Sequence, residues 1–285
     1  MFIRVTPLFA RCAAVLAAVL LPAALFGGTP IEDASAAVHA GRFVDAETIL
    51  LPLVKGRNAN PAAWFYMSRV RLAQKQFDEA VSFADRAAKS DHPPVNYFLN
   101  LGEICFAAIP NLDPIEGNSV AIKMRKAYEK ALKIDPKNIP AMEGLIAFYE
   151  HAPDLVGGDK RKAFEYAERL AKVSPYQGEF ELGRLSAGKN DFEGALTHYE
   201  AAVRVQPDDY ATATACGWSL YKLNRKKEAR ERFEAVLRAK PDFAPAQVGL
   251  DQIAKEEKEA AEKAAGKPSG GKPDSPASAD ASRHN

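Results

Sequence analysis

The chain has 285 residues, 47% of them hydrophobic and 26% charged, a composition typical of one or two soluble domains. Its formal net charge is +1, from 38 basic and 37 acidic residues. Residues 1–28 contain Arg4 and Arg11 and no acid, so the remainder has 36 basic and 37 acidic residues, or −1. Such a balance excludes the strong positive field with which proteins attract nucleic acid or an anionic membrane surface.

An apolar segment lies near the N-terminus. The 14 residues from Ala13 to Phe26 carry no charge, and two arginines precede them. A membrane-spanning helix needs about 20 such residues. The segment therefore predicts a secretory signal peptide over residues 1–28. The alternative is an uncleaved membrane anchor.

Two cleavage positions fit the small residues after this segment. Gly27 and Gly28 follow it directly, and Ala34-Ser35-Ala36 offers a second small-x-small pattern. We favour cleavage near Gly28, because a cut near Ala36 would fall inside the first predicted helix. We expect an exported protein, periplasmic or secreted, that contacts a membrane only through the signal segment before cleavage. The anchored alternative would keep it at the membrane.

The most informative feature is a repeat of 34 residues. Gly183, Ala195, Tyr199 and Pro207 are each matched 34 residues later, by Gly217, Ala229, Phe233 and Pro241. A period of this length indicates helix pairs that stack, because one pair cannot bury its apolar face alone. The sequence predicts an all-α protein, an α-solenoid of stacked antiparallel helix pairs.

Small and aromatic residues recur in the same order elsewhere in the chain. The matching positions include Trp64, Ser68, Phe77, Ala80, Ala87, Phe98, Gly102, Tyr128, Ala131, Pro136, Met142, Tyr149, Ala163, Ala167 and Leu170. Together with the 34-residue period, they resemble the tetratricopeptide repeat family, in its exported bacterial type. The resemblance covers roughly residues 30–243. It implies close approach of two helices at the small residues and packing between repeats at the large ones.

We expect about five to six repeats within a solenoid of residues 29–254, followed by further segments. The repeats are predicted at about 29–60, 61–94, 95–138, 139–175, 176–209 and 210–243, with a C-terminal capping helix after them. A polar helical extension is predicted at 255–267 and a disordered tail at 268–285. Two insertions, 107–118 and 151–158, lengthen the third and fourth repeats, and the sequence leaves their role open.

The sequence contains little that indicates catalysis. Its five histidines are scattered, and no pair has the spacing of a metal site. We therefore predict no enzymatic activity, no cofactor and no metal site. Cys105 and Cys216 are predicted to remain unpaired, because three stacked repeats separate them by far more than the roughly 7 Å that a disulfide spans between Cα atoms.

The resemblance also implies a binding surface. In this family the first helix of each repeat lines a concave face, and exposed aromatic and charged residues there suit an extended peptide or a partner helix. The predicted partner-binding residues are Phe65, Arg69, Asn96, Glu103, Glu143, Glu150, Phe180, Arg184, Trp218 and Tyr221.

These features lead to two functional hypotheses. The favoured one is a non-enzymatic scaffold or adaptor of the cell envelope that holds a protein segment in its concave groove. The alternative is a periplasmic small-molecule-binding component associated with a transporter, with the apolar insertions framing its pocket. A long open groove would favour the first, and an enclosed apolar pocket the second. Neither hypothesis includes nucleic acid, and the partner and the oligomeric state stay open.

Overall fold

The computed structural model describes residues 28–56 and 59–265. The predicted signal peptide lies outside the described residues except for Gly28, and the predicted tail at 268–285 lies wholly outside them. Within the described ranges the chain forms helices and turns and no strand, which confirms the all-α prediction. The helices pack in successive pairs in two compact units, divided between Pro93 and Pro94.

Unit 1 contains two helix pairs. The helices are α1 (Pro30–His39), α2 (Phe43–Leu50), α3 (Pro61–Ala73) and α4 (Phe77–Ala88). A capping box starts α1, because Thr29 and Glu32 each accept a hydrogen bond from the other's backbone N–H. Fully buried alanines, together with Leu50 and Met67, form the core of the unit.

Unit 2 contains four helix pairs and one further helix. The pairs are α5 (Val95–Ala108) with α6 (Pro114–Ile134), α7 (Ile139–His151) with α8 (Lys160–Val173), α9 (Pro175–Gly188) with α10 (Phe192–Val205), and α11 (Tyr210–Lys222) with α12 (Lys226–Ala239). The further helix is α13 (Ala244–Ala265). It packs on α11 and α12 through the buried Ala246 and Ile253, and it continues without a break into the polar segment after Ala254.

The two insertions have different structures. The first forms a short 3₁₀ helix (Ile109–Asn111) and adds turns to the start of α6, which reaches 21 residues. The second forms a 3₁₀ helix (Asp154–Val156) that contacts α6. Ile115 and Leu155 are 83% and 94% exposed, so their side chains frame no enclosed cavity.

A left-handed residue marks the turn inside every pair that lacks an insertion. Gly41, Lys75, Asn190 and Asn224 have φ values of +70°, +60°, +63° and +60°. Each lies just after the first helix of its pair, where a left-handed residue ends a helix and reverses the chain. Asparagine tolerates this conformation better than most side chains, which explains its use at two of these turns.

Aromatic side chains of the second helices pack directly on glycines of the first helices. Phe233 of α12 lies between Gly217 of α11 and Gly249 of α13, and Tyr128 of α6 lies between Gly102 and Gly144 in the same way. A Cβ added at Gly217 would lie 2.5 Å from the Phe233 ring. Glycine is therefore required at these positions for close approach.

Both cysteines of unit 2 are buried, and neither forms a disulfide within the described residues. Cys105 lies in α5 and Cys216 in α11, three helix pairs along the chain. Burial raises the pKa of the Cys216 thiol to about 11. At neutral pH the Cys216 side chain is a small, protonated apolar group.

We predict that Gly217→Ala lowers the free energy of unfolding by about 1–3 kcal/mol, because the new methyl group meets the fully buried Phe233 ring. The measurement is urea unfolding followed by circular dichroism. Gly188→Ala is the matched control: its Cβ would have no heavy atom closer than 3.9 Å, so it should be neutral or stabilising by up to about 1 kcal/mol. Equal destabilisation by both changes would contradict the glycine–aromatic packing.

Candidate functional site

The predicted binding residues fall in both units, so they are described unit by unit. Phe65 and Arg69 belong to α3 in unit 1. Phe65 is 9% exposed and contacts Tyr66 edge-on, with the Arg69 guanidinium 5.9 Å from its ring centroid. Phe65 therefore contributes mainly to packing, and only Arg69 of this pair has an exposed side chain.

The other eight predicted residues lie on the first helices of unit 2. We call the surface formed by α5, α7, α9, α11 and α13 the first-helix face. The predicted residues on it are Asn96, Glu103, Glu143, Glu150, Phe180, Arg184, Trp218 and Tyr221.

Polar contacts link neighbouring first helices across this face. Gln177 of α9 donates to Glu143 of α7 at 3.1 Å. Arg184 of α9 lies 2.6 Å from Glu150 of α7 and 2.7 Å from Glu181 of its own helix. These contacts link α7 to α9 and give the charged side chains partners within the protein.

The contacts between α9 and α11 involve aromatic rings and hydroxyl groups. The Tyr176 hydroxyl donates to Asp209, which caps α11 by accepting from the backbone of Ala211 and Thr212. Phe180 lies between Tyr176 and Tyr199, with ring centroids 6.5 and 6.0 Å away. Phe180 therefore packs between α9, α10 and α11, and only part of its ring is exposed to solvent.

Trp218 and Tyr221 also make contacts within the protein. Trp218 packs on Phe233 and Tyr221, with centroid distances of 5.5 Å to each. The Tyr221 hydroxyl donates to Glu256 of α13 and accepts from Gln252. The sequence pattern places both residues on the correct helix but does not reveal these partners.

Glu256 attaches the polar half of α13 to α11 and α12. Lys226 of α12 lies 2.7 Å from its carboxylate, and Gln252 donates to it at 2.9 Å. Lys226, then Tyr221 and Gln252, lower the pKa of Glu256 from its ordinary 4.5 to about 2. A neighbouring ion pair, Arg230 with Glu257 at 2.7 Å, strengthens the same attachment.

The first-helix face also has apolar side chains in contact with solvent. Phe106 at the end of α5 and Val248 on α13 are both 57% exposed. Phe106 lies on α5 three residues after Glu103, one of the predicted binding residues. Its exposure shows that its ring is available to a partner.

Glu181 is a charged residue of this face that the sequence analysis did not predict. It lies three residues before Arg184 on the same side of α9. Its negative charge and the burial of Glu143 raise the Glu143 pKa, with burial as the larger cause. The spacing between Glu181 and Arg184 is a signal that could have revealed it.

Other site types find little support in the described part of the chain. Within residues 28–56 and 59–265, no group of three or more His, Cys, Asp or Glu could hold a metal ion. Among the same residues, no helix is both long and apolar enough to cross a membrane. A small open depression with a volume of about 20 Å³ lies beside the second insertion and is lined by Glu150, Lys160, Phe164, Leu185, Gly188 and Lys189.

Comparison with protein families agrees with the repeat pattern. Two models of the tetratricopeptide repeat match residues 32–94 and 186–251. The chain is a tetratricopeptide repeat protein. Repeat proteins of this fold serve as scaffolds for protein–protein interaction, so the fold implies a protein or peptide partner.

One similar curated relative is the peroxisomal targeting signal receptor of Saccharomyces cerevisiae. The repeat protein is 25% identical to it over 214 residues, which cover 61% of this chain and 33% of the receptor. The chain thus spans about a third of the length of the curated relatives it matches. The likeness places no activity of the whole receptor on this chain.

Solved structures show the same fold. The C-terminal part of a tetratricopeptide repeat-containing protein from Cytophaga hutchinsonii has a TM-score of 0.59 and 14% identity, covering 78% of this chain and 84% of that one. PilF of Pseudomonas aeruginosa has a TM-score of 0.55 and 13% identity, covering 78% of this chain and 96% of that one. At these identities the likeness establishes the fold alone.

We predict that the attachment of α13 through Glu256 weakens in acid. Because the folded pKa is depressed, the stabilising contribution is fully present above pH 4.5 and is lost as the pH falls towards about 2. Hydrogen exchange of α13 amides should be faster in Glu256→Gln than in the unchanged protein at pH 6. This difference should shrink as the pH falls through the window.

The control for this experiment is Glu262→Gln on the same helix. Glu262 reaches only Lys258, at 4.0 Å, and both side chains are mostly exposed. It should leave the exchange rates unchanged at every pH. A Glu256→Gln difference that stays constant from pH 6 to pH 2.5 would contradict the titration of Glu256 as its cause.

Proposed function

We propose that this repeat protein is a non-enzymatic scaffold or adaptor that binds a peptide or partner helix on the first-helix face of unit 2. The observation that carries the proposal is the exposed ring of Phe106 on α5, together with charged side chains of α7 and α9 that contact one another on the first-helix face. Aromatic anchors with ordered polar surroundings are typical of protein interfaces.

The curated relative adds support of a different kind. Its name describes a receptor for a targeting signal, which is a binding role. The part that resembles this chain is a third of that receptor. We carry over only the general idea that the repeats receive a segment of another protein.

The alternative, a small-molecule component of a transporter, has less support. Ligand pockets usually enclose about 300–1,000 Å³ and have mostly apolar walls. The depression near the second insertion has a volume of only about 20 Å³, opens to solvent and has Glu150, Lys160 and Lys189 in its wall. The most exposed apolar residues of the insertions, Ile115 and Leu155, extend into solvent.

We also propose that the protein acts in the cell envelope. The support is the apolar segment from Ala13 to Phe26, which is short and preceded by arginines. Sequencing of the N-terminus of the protein from its native source should find a start near Gly28 or Ala36. A retained Met1 in a membrane fraction that resists salt washing would instead indicate an uncleaved anchor.

Photocrosslinking tests the binding face directly. A benzoyl-phenylalanine at Phe106 should form an adduct with a partner, and mass spectrometry should map that adduct to one discrete segment. The matched control is the same probe at Ile134, which is 54% exposed but lies on α6, the second helix of the same pair. Equal adducts at both positions, or adducts at Ile134 alone, would refute binding on the first-helix face.

A further inference from the structure

We propose that the surface of α11 and α12 beneath the polar half of α13, residues 255–265, binds an acidic segment of a partner protein. Glu256 and Glu257 of α13 occupy this surface until the partner displaces them. The inference goes beyond the proposed function, because it concerns the last helix pair of unit 2 and not the first pair, where Phe106 lies. It follows from the attachment of the polar half, the groups that hold its carboxylates and the charges around them.

The two halves of α13 are attached by different interactions. The first half packs on α11 and α12 through the buried Ala246 and Ile253. The polar half contains no apolar side chain larger than alanine. From residue 255 to residue 263, every residue except Glu256 is exposed. Polar contacts rather than apolar burial therefore attach the polar half, and it can separate while the first half stays packed.

These polar contacts join two carboxylates to three groups of α11 and α12. Glu256 accepts a hydrogen bond from the Tyr221 hydroxyl and lies 2.7 Å from the Lys226 ammonium. Glu257 lies 2.7 Å from the Arg230 guanidinium. The four ion-paired side chains are 30–53% exposed, and ion pairs at such exposed sites stabilise a protein only slightly. An external ligand can therefore compete with them.

The three groups form a site that favours an ionised carboxylate. Lys226, then Tyr221, lower the pKa of Glu256 to about 2. Lys226 and Arg230 lie four residues apart on α12, so both are on the same face of that helix. Trp218 packs edge-on against the Tyr221 ring, with 5.5 Å between the ring centroids, and so supports its position from within α11. A partner carboxylate would meet the same donors that hold Glu256.

The charges of the surrounding residues favour an acidic partner. Residues 222–232 contain six basic and two acidic side chains. Arg225 pairs with Glu228, and the carboxylates of Glu193 and Glu200 on α10 also act on Arg225. Even with these two carboxylates counted, basic side chains are in excess. The polar half carries four carboxylates and three lysines, so a partner segment without lysine complements this surface better than the polar half does.

Synthetic peptides test the inference on the full chain. The probe is fluorescein-labelled (Ala-Glu-Glu-Ala)₃, compared with the neutral (Ala-Gln-Gln-Ala)₃. Fluorescence anisotropy should show the glutamate peptide binding at least about tenfold more tightly, because it alone supplies carboxylates to Lys226 and Arg230. Hydrogen exchange of the amides of residues 255–265 should become faster when the glutamate peptide is added and stay unchanged with the neutral one.

Variants of α13 test whether its carboxylates compete with the peptide. The double change Glu256→Gln and Glu257→Gln removes the intramolecular competitor, so it should raise the affinity for the glutamate peptide by about threefold to tenfold. The matched control is the double change Glu259→Gln and Glu262→Gln. It makes the same charge change on exposed residues of the same helix, so it should alter the affinity by less than about twofold.

Variants of α12 locate the site. Lys226→Gln and Arg230→Gln should each weaken binding of the glutamate peptide by at least about threefold, because each removes one charge pair with the ligand. Lys227→Gln is the matched control, since Lys227 is an exposed neighbour with the same charge, and its effect should stay below about twofold. Circular dichroism melting of each variant establishes that it is folded.

Several results would overturn the inference. Equal binding of the two peptides, or binding of neither, would refute an acidic partner. An affinity that falls or stays unchanged in the Glu256 and Glu257 double variant would refute displacement, and equal effects of Lys226→Gln and Lys227→Gln would refute the site. The crosslink at Phe106 tests the proposed function on a different helix pair, so either proposal can fail without the other.

Discussion

The fold of both units depends on one constraint: a single helix pair cannot bury its own apolar face. In unit 2 the solution, on three of the four second helices (α6, α10 and α12), is an aromatic ring set against a glycine of a first helix. Phe233 shows the arrangement most completely. One edge of its ring packs on Gly217 of α11, and the other edge packs on Gly249 of α13. One side chain therefore joins its own pair to the next. A similar contact of Tyr128 with Gly102 and Gly144 joins the first two pairs of the unit.

This packing determines what the first-helix face can do. Because the rings and small residues are buried between helices, the residues that remain on the face are largely charged or polar. Contacts such as Arg184 with Glu150 and Gln177 with Glu143 then order these side chains between helices. On the proposal that a partner binds here, it would meet side chains that already contact one another, which lowers the entropy cost of binding. Among the described residues of this face, Phe106 of α5 is the aromatic residue with more than half of its surface exposed.

The sequence predicts the helix pairs well because their cause is local and repeated. Gly217 and Phe233 carry the 34-residue period, and each is required by direct contact with the other. The binding face is less predictable. Counting positions places Phe65 and Tyr221 on the correct helices, yet Phe65 is buried and the Tyr221 hydroxyl is occupied by Glu256. The position of a residue within the repeat indicates the direction of its side chain. How deeply that side chain is buried and which residues it contacts depend on neighbouring helices, which the repeat pattern does not specify.

The charge of the face illustrates why composition alone is a poor guide to partners. The net charge of the whole chain is only +1, which indicates no preference for a charged partner. Stacking nevertheless gathers carboxylates from α5, α7 and α9, residues that are about 40 positions apart in the sequence, and leaves them with Arg184 as the cation that links α7 to α9. Local fields between nearby groups act over about one Debye length, near 8–10 Å at physiological salt. A partner segment bound on this face, as proposed, would therefore respond to the charges of neighbouring helices and not to the average of the chain. Specificity in such a protein arises from which surface charges the repeat brings together.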